Sequence, residues 1–417
     1  MGGNIMKPIL RFPEFKDLWS SYKIEEVFDR VGVAVNLDDT QTYREIGIRS
    51  HGKGIFYKNE TTVSEIGNKR VFWVEPNCFI VNIVFAWERA VAKTTDKEKG
   101  MIASHRFPMY KPKKDMLDLD YITDYFITKR GQNVLVLASP GGAGRNKTLG
   151  QKEFAKSVIK IPSLPEQQKI ADFLSTIDTI IEKQQATVSA WEERKKGVMQ
   201  KLFSQEVRFK ADDGSDFPDW EEKSFVNTFD SLNNSTFSRD CLNYENGSVK
   251  YIHYGDILVK YNSSVDVCDA IVPFVNEDLD CERFAILQDG DIVIADTAED
   301  DTVGKVIEIE NTSNVKTIAG LHTIACRPKE KFASKYLGYY MNSDEYHNQL
   351  RPYMQGIKVT SISKSNIALT KIMVPSLPEQ QKIADCLSAL DTVIQKQKET
   401  LEKWQELKKG LLQQMFV

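Results

Sequence analysis

The sequence predicts a mixed α+β fold in which two globular domains are separated by a long antiparallel two-helix coiled coil. Three observations predict it: an internal repeat, a heptad pattern inside the repeat, and a mixture of strand and helix patterns outside it. The 417 residues suffice for two to three domains with cores of their own. Apolar residues make up 41% of the chain and charged residues 27%, which excludes collagen-like, disordered and disulfide-scaffold classes.

The dominant feature of the sequence is a duplication. Residues 162–203 recur at 375–416 with a constant offset of 213, no gap, and 26 of 42 positions identical. Fainter similarity joins the parts in front of each copy: IASHRFPMYKP (102–112) resembles IAGLHTIACRP (318–328), and KTLGQKEF (147–154) resembles TSISKSNI (360–367). The chain is therefore two tandem units, each with a variable globular part followed by a nearly invariant tail.

Each tail is predicted to be a long helix, because its apolar residues alternate in steps of four and three, as at the seam of a coiled coil. The seam residues are Ile170, Leu174, Ile177, Ile181, Val188 and Trp191 in the first tail, and Ile383, Leu387, Leu390, Ile394, Leu401 and Trp404 in the second. Polar residues fill the seam at matching places, Gln184 and Lys195 in one copy and Gln397 and Lys408 in the other. Because polar seam residues fix register, this match favours mutual pairing; the alternative is that each helix packs separately on its own domain.

Related copies that meet through the same face generate a pseudo-twofold axis, across which the two helices run antiparallel. A helix of about 40 residues, rising 1.5 Å per residue, is about 60 Å long. The two tails are thus predicted to form a stiff spacer between the globular parts. Ser163 with Glu166, and Ser376 with Glu379, have the spacing of capping boxes at the helix starts.

Charge separates the two globular parts. Residues 1–161 contain 26 Lys+Arg and 19 Asp+Glu, a net charge of +7, whereas residues 209–374 contain 16 and 27, a net charge of −11. No apolar run is long enough to span a membrane, and the start MGGNIMKPILRF does not resemble a signal peptide. The six cysteines are scattered without a CxxC pair, which predicts reduced thiols in a cytoplasmic protein and no metal site.

The duplicated PSLPEQQKIAD motif, followed by Trp191 or Trp404 and by KKG at 195–197 and 408–410, resembles the conserved regions of specificity subunits of type I restriction-modification systems. The stretch GDIVIADTAEDDTVGK (290–305) is similar to that family too. The resemblance covers essentially the whole chain and implies a non-catalytic DNA-recognition subunit.

The resemblance also implies an organisation. Residues 1–161 and 209–374 would be target-recognition domains 1 and 2, and 162–208 and 375–417 the conserved spacer helices. Each domain would read one half of a bipartite, asymmetric site on double-stranded DNA. The helices would dock two DNA methyltransferase subunits, and restriction subunits would join the complex. No cofactor is expected on this chain, because S-adenosylmethionine, ATP and Mg²⁺ would be bound by partner subunits. The alternative is a coiled-coil assembly scaffold that does not read DNA.

Two stretches of the first globular part are candidates for DNA contact. YREIGIRSHGKGIFYK (43–58) interleaves basic and aromatic side chains, which suits a DNA-facing surface, although an ordinary solvated strand pair would look similar. Its candidate residues are Tyr43, Arg44, Arg49, His51, Lys53 and Lys58. NVLVLASPGGAGRNKT (133–148) resembles a phosphate-binding P-loop, but Asn146 stands where the motif needs glycine. We therefore interpret it as a glycine-rich loop that carries Arg145, Asn146, Lys147 and Thr148 towards DNA, or as a plain surface turn.

The second globular part offers two corresponding stretches, YIHYGDILVKYN (251–262) and GIKVTSISKS (356–365), whose small, basic and aromatic side chains suit phosphates and base edges. Their candidate residues are His253, Tyr254, Lys260, Tyr261 and Asn262, and Lys358, Thr360, Ser361, Ser363 and Lys364. The acidic run 296–301 is interpreted as a solvated loop, in which one carboxylate could accept from a cytosine amino group. His105 and His322 are interpreted as structural, and no methyltransferase or helicase motif is present.

Secondary structure outside the tails is predicted from short apolar runs. Strands are predicted at 77–87, 133–139, 291–296 and 305–310, and helices at 118–128 and 333–343.

Overall fold

The structure is a computed structural model that describes residues 8–141, 147–356 and 359–416. It divides into two compact units, here called unit 1 (residues 1–185 and 399–417) and unit 2 (residues 186–398). Each unit contains one globular part, a section of the first long helix and a section of the second.

Unit 1 opens with short strands and ends on a long helix. Its strands are β1 (Ser20–Lys23), β2 (Phe28–Val31), β3 (Thr42–Ile48), β4 (Ile55–Thr62), β5 (Val71–Trp73), β6 (Phe79–Val81), β7 (Val91–Lys93), β8 (Ile102–Ser104), β9 (Met109–Pro112) and β10 (Val158–Ile161). Its helices are α1 (Ile24–Val27), α2 (Val63–Ile66), α3 (Leu119–Ile127), α4 (Lys129–Leu137), α5 (Gln151–Lys156) and the start of α6 (Leu164–Phe203), with 3-10 turns at Ala86–Glu88 and Asp96–Glu98.

The strands of unit 1 form two four-stranded sheets with orders β2-β9-β6-β7 and β4-β3-β8-β5. All pairs in them are antiparallel except β3 with β8. A separate antiparallel pair, β1 with β10, brings the beginning of the domain to the strand that leads into α6. Helix α3 covers the first sheet: its Tyr121 and Phe126 are fully buried in one cluster with Phe79 of β6.

Unit 2 has the same kinds of elements in nearly the same order. Its strands are β11 (Glu221–Ser224), β12 (Phe229–Ser231), β13 (Leu242–Asn243), β14 (Val249–Ile252), β15 (Ser264–Asp266), β16 (Phe274–Val275), β17 (Ile292–Ala295), β18 (Thr297–Ala298), β19 (Val306–Glu310), β20 (Lys316–Ala319), β21 (Thr323–Pro328), β22 (Thr360–Ser361) and β23 (Lys371–Val374). Its helices are α7 (Phe225–Thr228), α8 (Tyr254–Val259), α9 (Tyr336–Tyr340), α10 (Asp344–Leu350), α11 (Lys364–Ile367) and the start of α12 (Leu377–Met415), with 3-10 turns at Arg239–Cys241 and Arg351–Tyr353.

A five-stranded sheet, β12-β21-β17-β19-β15, and a four-stranded sheet, β13-β16-β14-β20, form the body of unit 2. The pairs β15 with β19 and β14 with β20 are parallel, and the others are antiparallel. Strands β11 and β23 pair antiparallel, as β1 and β10 do in unit 1. The pair β18 with β22 joins the segment after β17 to the segment before α11.

The predicted heptad seam is buried in unit 1. Ile170, Leu174 and Ile177 of α6 share a core cluster with Met415 and Phe416 at the end of α12. Ile181 and Trp404 pack against that cluster while partly buried, and Leu401 is buried. The start of one helix therefore packs against the end of the other.

Unit 2 repeats the arrangement with the helices exchanged. Ile383 and Leu387 of α12 share a core cluster with Leu202 and Phe203 at the end of α6, and Leu390 packs against it. The remaining seam residues of this unit are buried or half-buried, namely Val188, Ile394 and Trp191. Ion pairs Glu192–Lys398 and Lys195–Asp391 join residues that ascend along α6 and descend along α12, so the helices run antiparallel. The predicted fold class, with its antiparallel helix pair, is confirmed.

The predicted polar seam residues Lys195 and Lys408 have partners on the opposite helix. In unit 2 the Nζ atom of Lys195 lies 2.6 Å from Oδ1 of Asp391, and in unit 1 the Nζ atom of Lys408 lies 2.5 Å from Oδ1 of Asp178. The repeat offset of 213 carries Asp178 to Asp391 and Lys195 to Lys408. The same ion pair thus occurs once in each unit, with donor and acceptor helices exchanged.

The two ion pairs meet different side chains of the globular parts. In unit 2 the hydroxyl of Tyr339 donates to Oδ2 of Asp391 at 2.7 Å. In unit 1 the corresponding position, three residues after the tyrosine that packs on the helix end, is Asp124. Burial raises the pKa of Asp124 to about 7; Lys408 opposes that rise, whereas Asp178 and Asp120 add to it.

Asp124→Asn is expected to flatten the pH dependence of stability in unit 1. Because the pKa of Asp124 is about 7 when folded and near 3.8 in its ordinary state, the folded protein holds this proton more firmly. The stabilisation that comes from the Asp124 proton is therefore complete below about pH 4, decreases as the pH rises towards 7, and is lost above that. Chemical unfolding at intervals from pH 4 to 8 checks this; Asp115→Asn, at an exposed position of the same unit, is the control, and an unchanged slope in Asp124→Asn would contradict it.

The PEQQ motif clamps α6 to the globular part of unit 1. The carboxylate of Glu166, 1% exposed, accepts two hydrogen bonds from Arg11, both 2.7 Å, and one from the indole N–H of Trp19 at 3.3 Å. The next residue, Gln167, accepts from the backbone N–H of Asp118 at 2.9 Å and donates to two backbone carbonyls. The first turn of the helix is thus tied both to the preceding segment and to the start of α3.

The same clamp forms in unit 2. Glu379 accepts from Arg208 at 3.0 and 2.8 Å and from the indole N–H of Trp220 at 3.1 Å. Gln380 accepts from the backbone N–H of Ala333 at 2.9 Å. These carboxylates serve the clamp rather than the predicted capping box, and Ser376 Oγ has no hydrogen-bond partner among the described residues.

Four of the six predicted elements outside the tails are confirmed as β17, β19, α3 and, in shorter form, α9. The strand predicted at 77–87 is limited to β6, and the chain then turns into a 3-10 helix. The strand predicted at 133–139 is wrong, because these residues belong to α4 and the turn after it. Leu135 and Ala138 face the core at helical spacing whereas Leu137 is exposed, and so short an apolar run fits either period.

Candidate nucleic-acid interface

The β3–β4 hairpin of unit 1 presents part of the predicted DNA-binding residues. Arg44 and Lys58 are exposed on it, but both are engaged: Arg44 Nε donates to the carbonyl of Lys58, and Lys58 pairs with Glu45 at 2.7 Å. Tyr43 is a correction to the prediction, because its side chain is only 5% exposed and its hydroxyl accepts from the backbone N–H of Asp38. Tyr43 therefore supports the hairpin from inside.

The tip of this hairpin carries Arg49, His51 and Lys53, all exposed. The backbone N–H of His51 donates to the carbonyl of Glu88 at 2.7 Å, which docks the tip on the 3-10 turn. Next to it Gly52 has a φ of +68°, and a Cβ there would lie 2.8 Å from the side chain of Ile127. The close approach needs glycine, so the tip has a defined position from which its basic side chains project.

The glycine-rich loop of unit 1 is described only at its ends. Arg145 and Asn146 lie outside the described residues, whereas Lys147 is half-buried and Thr148 exposed. The backbone N–H of Leu149 donates to the carbonyl of Ile83 at 2.8 Å, two residues beyond β6. The end of the predicted stretch is therefore anchored to unit 1 just after β6, a core strand.

The first predicted stretch of unit 2 divides into exposed and internal residues. His253 and Tyr254 are half-exposed, with stacked rings 4.7 Å apart, and Asn262 is exposed. Tyr261 is a second correction, because it is 8% exposed and belongs to a core cluster. Lys260 is exposed but is held at 2.9 Å from Oδ1 of Asp256.

The environment of His253 favours its neutral form. Burial lowers the pKa of His253, and the neighbouring charge of Arg239 lowers it further. Its Nδ1 accepts the backbone N–H of Gly255 at 3.0 Å, which assigns the proton of the neutral ring to Nε2. Asp256 beneath it is ionised: burial raises its pKa, but hydrogen bonds from Arg239 and Lys260 outweigh that and lower it.

The second predicted stretch of unit 2 lies beside the first. Thr360 and Ser361 form β22, which pairs with β18, so that Thr297 stands opposite Ser361. Ser363 accepts the backbone N–H of Asn366 at the start of α11, and Lys364 is exposed; Lys358 lies outside the described residues. Thr297 Oγ1 is 3.4 Å from Nδ1 of His322, whose ring meets that of Tyr254 edge-on at 5.3 Å. Both predicted stretches of unit 2 are thereby brought to one surface.

In each unit, backbone hydrogen bonds join three segments at an equivalent place: the end of a core strand, a turn between two strands and the loop before a short helix. In unit 2 the backbone N–H of Asp296, just after β17, donates to the carbonyl of His322 at 3.1 Å, and its carbonyl accepts from Ile362 at 2.9 Å. In unit 1 Ile83 donates to the carbonyl of Arg106 at 3.0 Å and accepts from Leu149 at 2.8 Å. The offset of 213 carries Ile83 to Asp296 and Leu149 to Ile362. The same backbone junction therefore presents different side chains.

Sequence reasoning missed two residues at this junction, Arg106 in unit 1 and His322 in unit 2, whereas Asp296 belongs to the acidic run in which one carboxylate was expected to accept from a base. His322 was interpreted as structural, yet its side chain is 47% exposed, with Nδ1 at 3.5 Å from Asp296. The available signal was the similarity of 102–112 to 318–328, in which Arg106 and His322 occupy the same place between matching residues. Farther along the acidic run, Asp300 accepts from Thr302 in a local turn.

Comparison with known proteins agrees with this architecture. A family model described as the type I restriction modification DNA specificity domain matches the chain twice, over residues 16–189 and 218–403. The type I restriction enzyme MjaVIII specificity subunit of Methanocaldococcus jannaschii is 27% identical over 324 residues, which cover 73% of this chain and 72% of that protein. The putative MjaX specificity subunit of the same organism is 25% identical over 326 residues, covering 75% and 71%.

Solved structures show the same fold. The S subunit of a type I restriction-modification system from M. genitalium aligns with a TM-score of 0.53 at 15% identity, covering 99% of both chains. A chain from a study of complex assembly and conformational transition of the type I R-M system aligns with a TM-score of 0.57 at 16% identity, covering 95% of this chain and 97% of that one.

The family model identifies this duplicated α+β domain, each copy followed by a long helix, as a DNA specificity domain. The chain belongs to the family of type I restriction-modification specificity subunits. Among the described residues, no helix is long and apolar enough to cross a membrane.

Proposed function

We propose that the chain is the non-catalytic, sequence-reading subunit of a type I restriction-modification complex, in which each domain reads one half of a bipartite, asymmetric site on double-stranded DNA. The observation that carries this is the repeated junction: the same backbone hydrogen bonds recur in both units, while the exposed side chains differ. Unlike surfaces on like scaffolds suit two unlike half-sites, because direct reading depends on the donors and acceptors presented to base edges.

The long helices have a second role in this proposal. They dock two methyltransferase subunits, with restriction subunits joining the complex, and they set the gap between the half-sites. S-adenosylmethionine, ATP and Mg²⁺ are bound by those partner subunits. The complex acts on DNA in the cytoplasm. The continuity of α6 and α12 over 40 and 39 residues supports a spacer role, since an uninterrupted helix is stiff.

Mapping of methylated DNA tests the function. The full chain is expressed with the methyltransferase subunit of its system in a host that lacks other methylation, and modified bases are mapped by sequencing. We expect one two-part sequence with unlike halves and a constant gap. A continuous site, a palindromic site, or methylation that does not depend on this chain would contradict the proposal; in the last case a scaffold role would remain.

The isolated chain is expected to bind DNA weakly. Most non-specific affinity for DNA comes from counterions that are released when Lys and Arg side chains neutralise its phosphates. Residues 209–374 have a net charge of −11, so this half can offer few phosphate contacts, and partners must add them. Fluorescence anisotropy with a duplex that contains the mapped site, repeated over a salt series, measures this. Tight binding by the chain alone, with a steep loss of affinity as salt rises, would contradict the expectation.

A further inference from the structure

The turn between β8 and β9 of unit 1 holds Arg106 in a defined place without using its side chain. The backbone N–H of Phe107 donates to the carbonyl of Ser104 at 2.9 Å, and the N–H of Arg106 donates to the hydroxyl of Ser104 at 3.1 Å. The carbonyl of Arg106 accepts from Ile83 at 3.0 Å, which fixes the turn to the end of a core strand. The guanidinium itself is exposed and has no hydrogen bond or ion pair with any described residue.

Three other exposed arginines of unit 1, Arg44, Arg49 and Arg70, differ from Arg106 in this respect. Arg44 Nε donates to the carbonyl of Lys58 at 3.1 Å, and Arg49 lies over the ring of Phe56, 5.1 Å from its centroid. Arg70 lies over the ring of Phe72 at 5.4 Å. All five donors of Arg106 are therefore available to a ligand on a rigid support, which is the condition for a specific contact rather than a diffuse one.

The equivalent turn of unit 2, between β20 and β21, is strained where it presents its side chain. His322 has a φ of +56°, a left-handed conformation that costs free energy for a residue with a Cβ. The hydroxyl of Thr323 donates to the carbonyl of Gly320 at 2.6 Å and holds the turn, and the carbonyl of His322 accepts from Asp296. The imidazole is directed to Asp296 and Thr297 on the surface already described.

We propose that this turn is the base-reading element of both domains, and that Arg106 reads a guanine in the half-site of unit 1. The proposal rests on the proposed function and adds the residue and the base. An arginine fork matches the O6 and N7 acceptors of guanine in the major groove, which no other base offers as a pair. Lys147 and Thr148, at the same junction, suit the adjacent phosphates. His322 reads a base of the other half-site.

Three variants of the full chain, co-expressed with its methyltransferase, test the proposal: Arg106→Ala, Arg106→Lys and His322→Ala. Methylation rates are measured on a duplex library in which every position of both half-sites is varied. Arg106→Ala is expected to lower discrimination at one guanine of one half-site by about 5- to 150-fold and leave the other half-site unchanged. Arg106→Lys is expected to lose the same discrimination, because lysine keeps the charge but not the fork. His322→Ala is expected to relax one position of the other half-site.

Lys156→Ala is the matched control, since Lys156 is exposed at the far end of α5, beside the strand that leads into α6. It is expected to leave both half-sites as they are, and thermal unfolding checks that all four variants fold. If Arg106→Ala weakens methylation of all sequences equally and Arg106→Lys restores it, Arg106 is a phosphate contact and the inference is overturned while the function stands. If the unaltered chain directs no bipartite methylation, the proposed function itself fails.

Discussion

Replacing Glu379 with alanine is expected to lower the free energy of unfolding of unit 2 by about 3 to 5 kcal/mol, the usual cost of removing one partner from a buried ion pair. The carboxylate is 0% exposed and accepts from Arg208 and from the indole of Trp220, so its loss leaves a partly buried guanidinium and a buried N–H without acceptors. Glu166→Ala is expected to have an effect of the same size in unit 1, through Arg11 and Trp19. Urea unfolding followed by tryptophan fluorescence measures both.

Glu192→Ala provides the control for Glu379→Ala. Glu192 is also a glutamate of a long helix in an ion pair, with Lys398 at 2.7 Å, but both side chains are nearly half exposed. Solvent screening limits such a pair to at most about 1 kcal/mol. Should Glu379→Ala cost no more than Glu192→Ala, the PEQQ clamp would contribute nothing to stability, and its presence in both tails would need another explanation.

Lengthening both spacer helices is expected to change which DNA sites are modified, with a complete loss of activity at the original gap. Four residues inserted after Gln184 of α6, together with four after the equivalent Gln397 of α12, add about one turn and about 6 Å to each helix. This is close to the rise of one or two base pairs of DNA. We expect the methylated site to keep both half-sites and to gain that many base pairs between them.

The control is an insertion of the same four residues at Gly214, in the exposed turn between α6 and β11, which leaves both helices at their original length. That variant is expected to methylate the original sequence. A changed base in either half-site of the helix variant, or an unchanged gap, would show that the helices do not set the spacing.

The long helices were predictable from the sequence because their pattern is local. A heptad of apolar residues identifies the seam wherever the partner comes from, and the repeated polar positions indicated pairing between the two copies. The partners of those polar residues were not predictable in the same way. Lys195 on one long helix pairs with Asp391 on the other, and Lys408 pairs with Asp178 in the same way. Both matches depend on the register between the two helices, which the sequence of one helix does not encode.

The candidate surface was predicted less completely. Composition identified the β3–β4 hairpin and the two loops before α5 and α11, but it could not separate a tyrosine that faces the core, such as Tyr43 or Tyr261, from one that faces solvent, such as Tyr254. Arg106 and His322 were not recognised as DNA-facing because neither stretch contains the interleaved basic and aromatic side chains that marked the other candidates. Only the hydrogen bonds from Ile83 and Asp296 place them beside the predicted loops.

By itself the sequence determined the duplication, the mixed α+β class, the paired helices and the family, since all of these are written in periodicity and repeated motifs. The tertiary structure alone decided that the PEQQ glutamates bind an arginine and an indole rather than cap their own helices. It also decided which exposed side chains share a surface. The physical reason is that hydrogen bonds and burial at these sites join residues as much as 171 positions apart, whereas a sequence pattern reports only its neighbours.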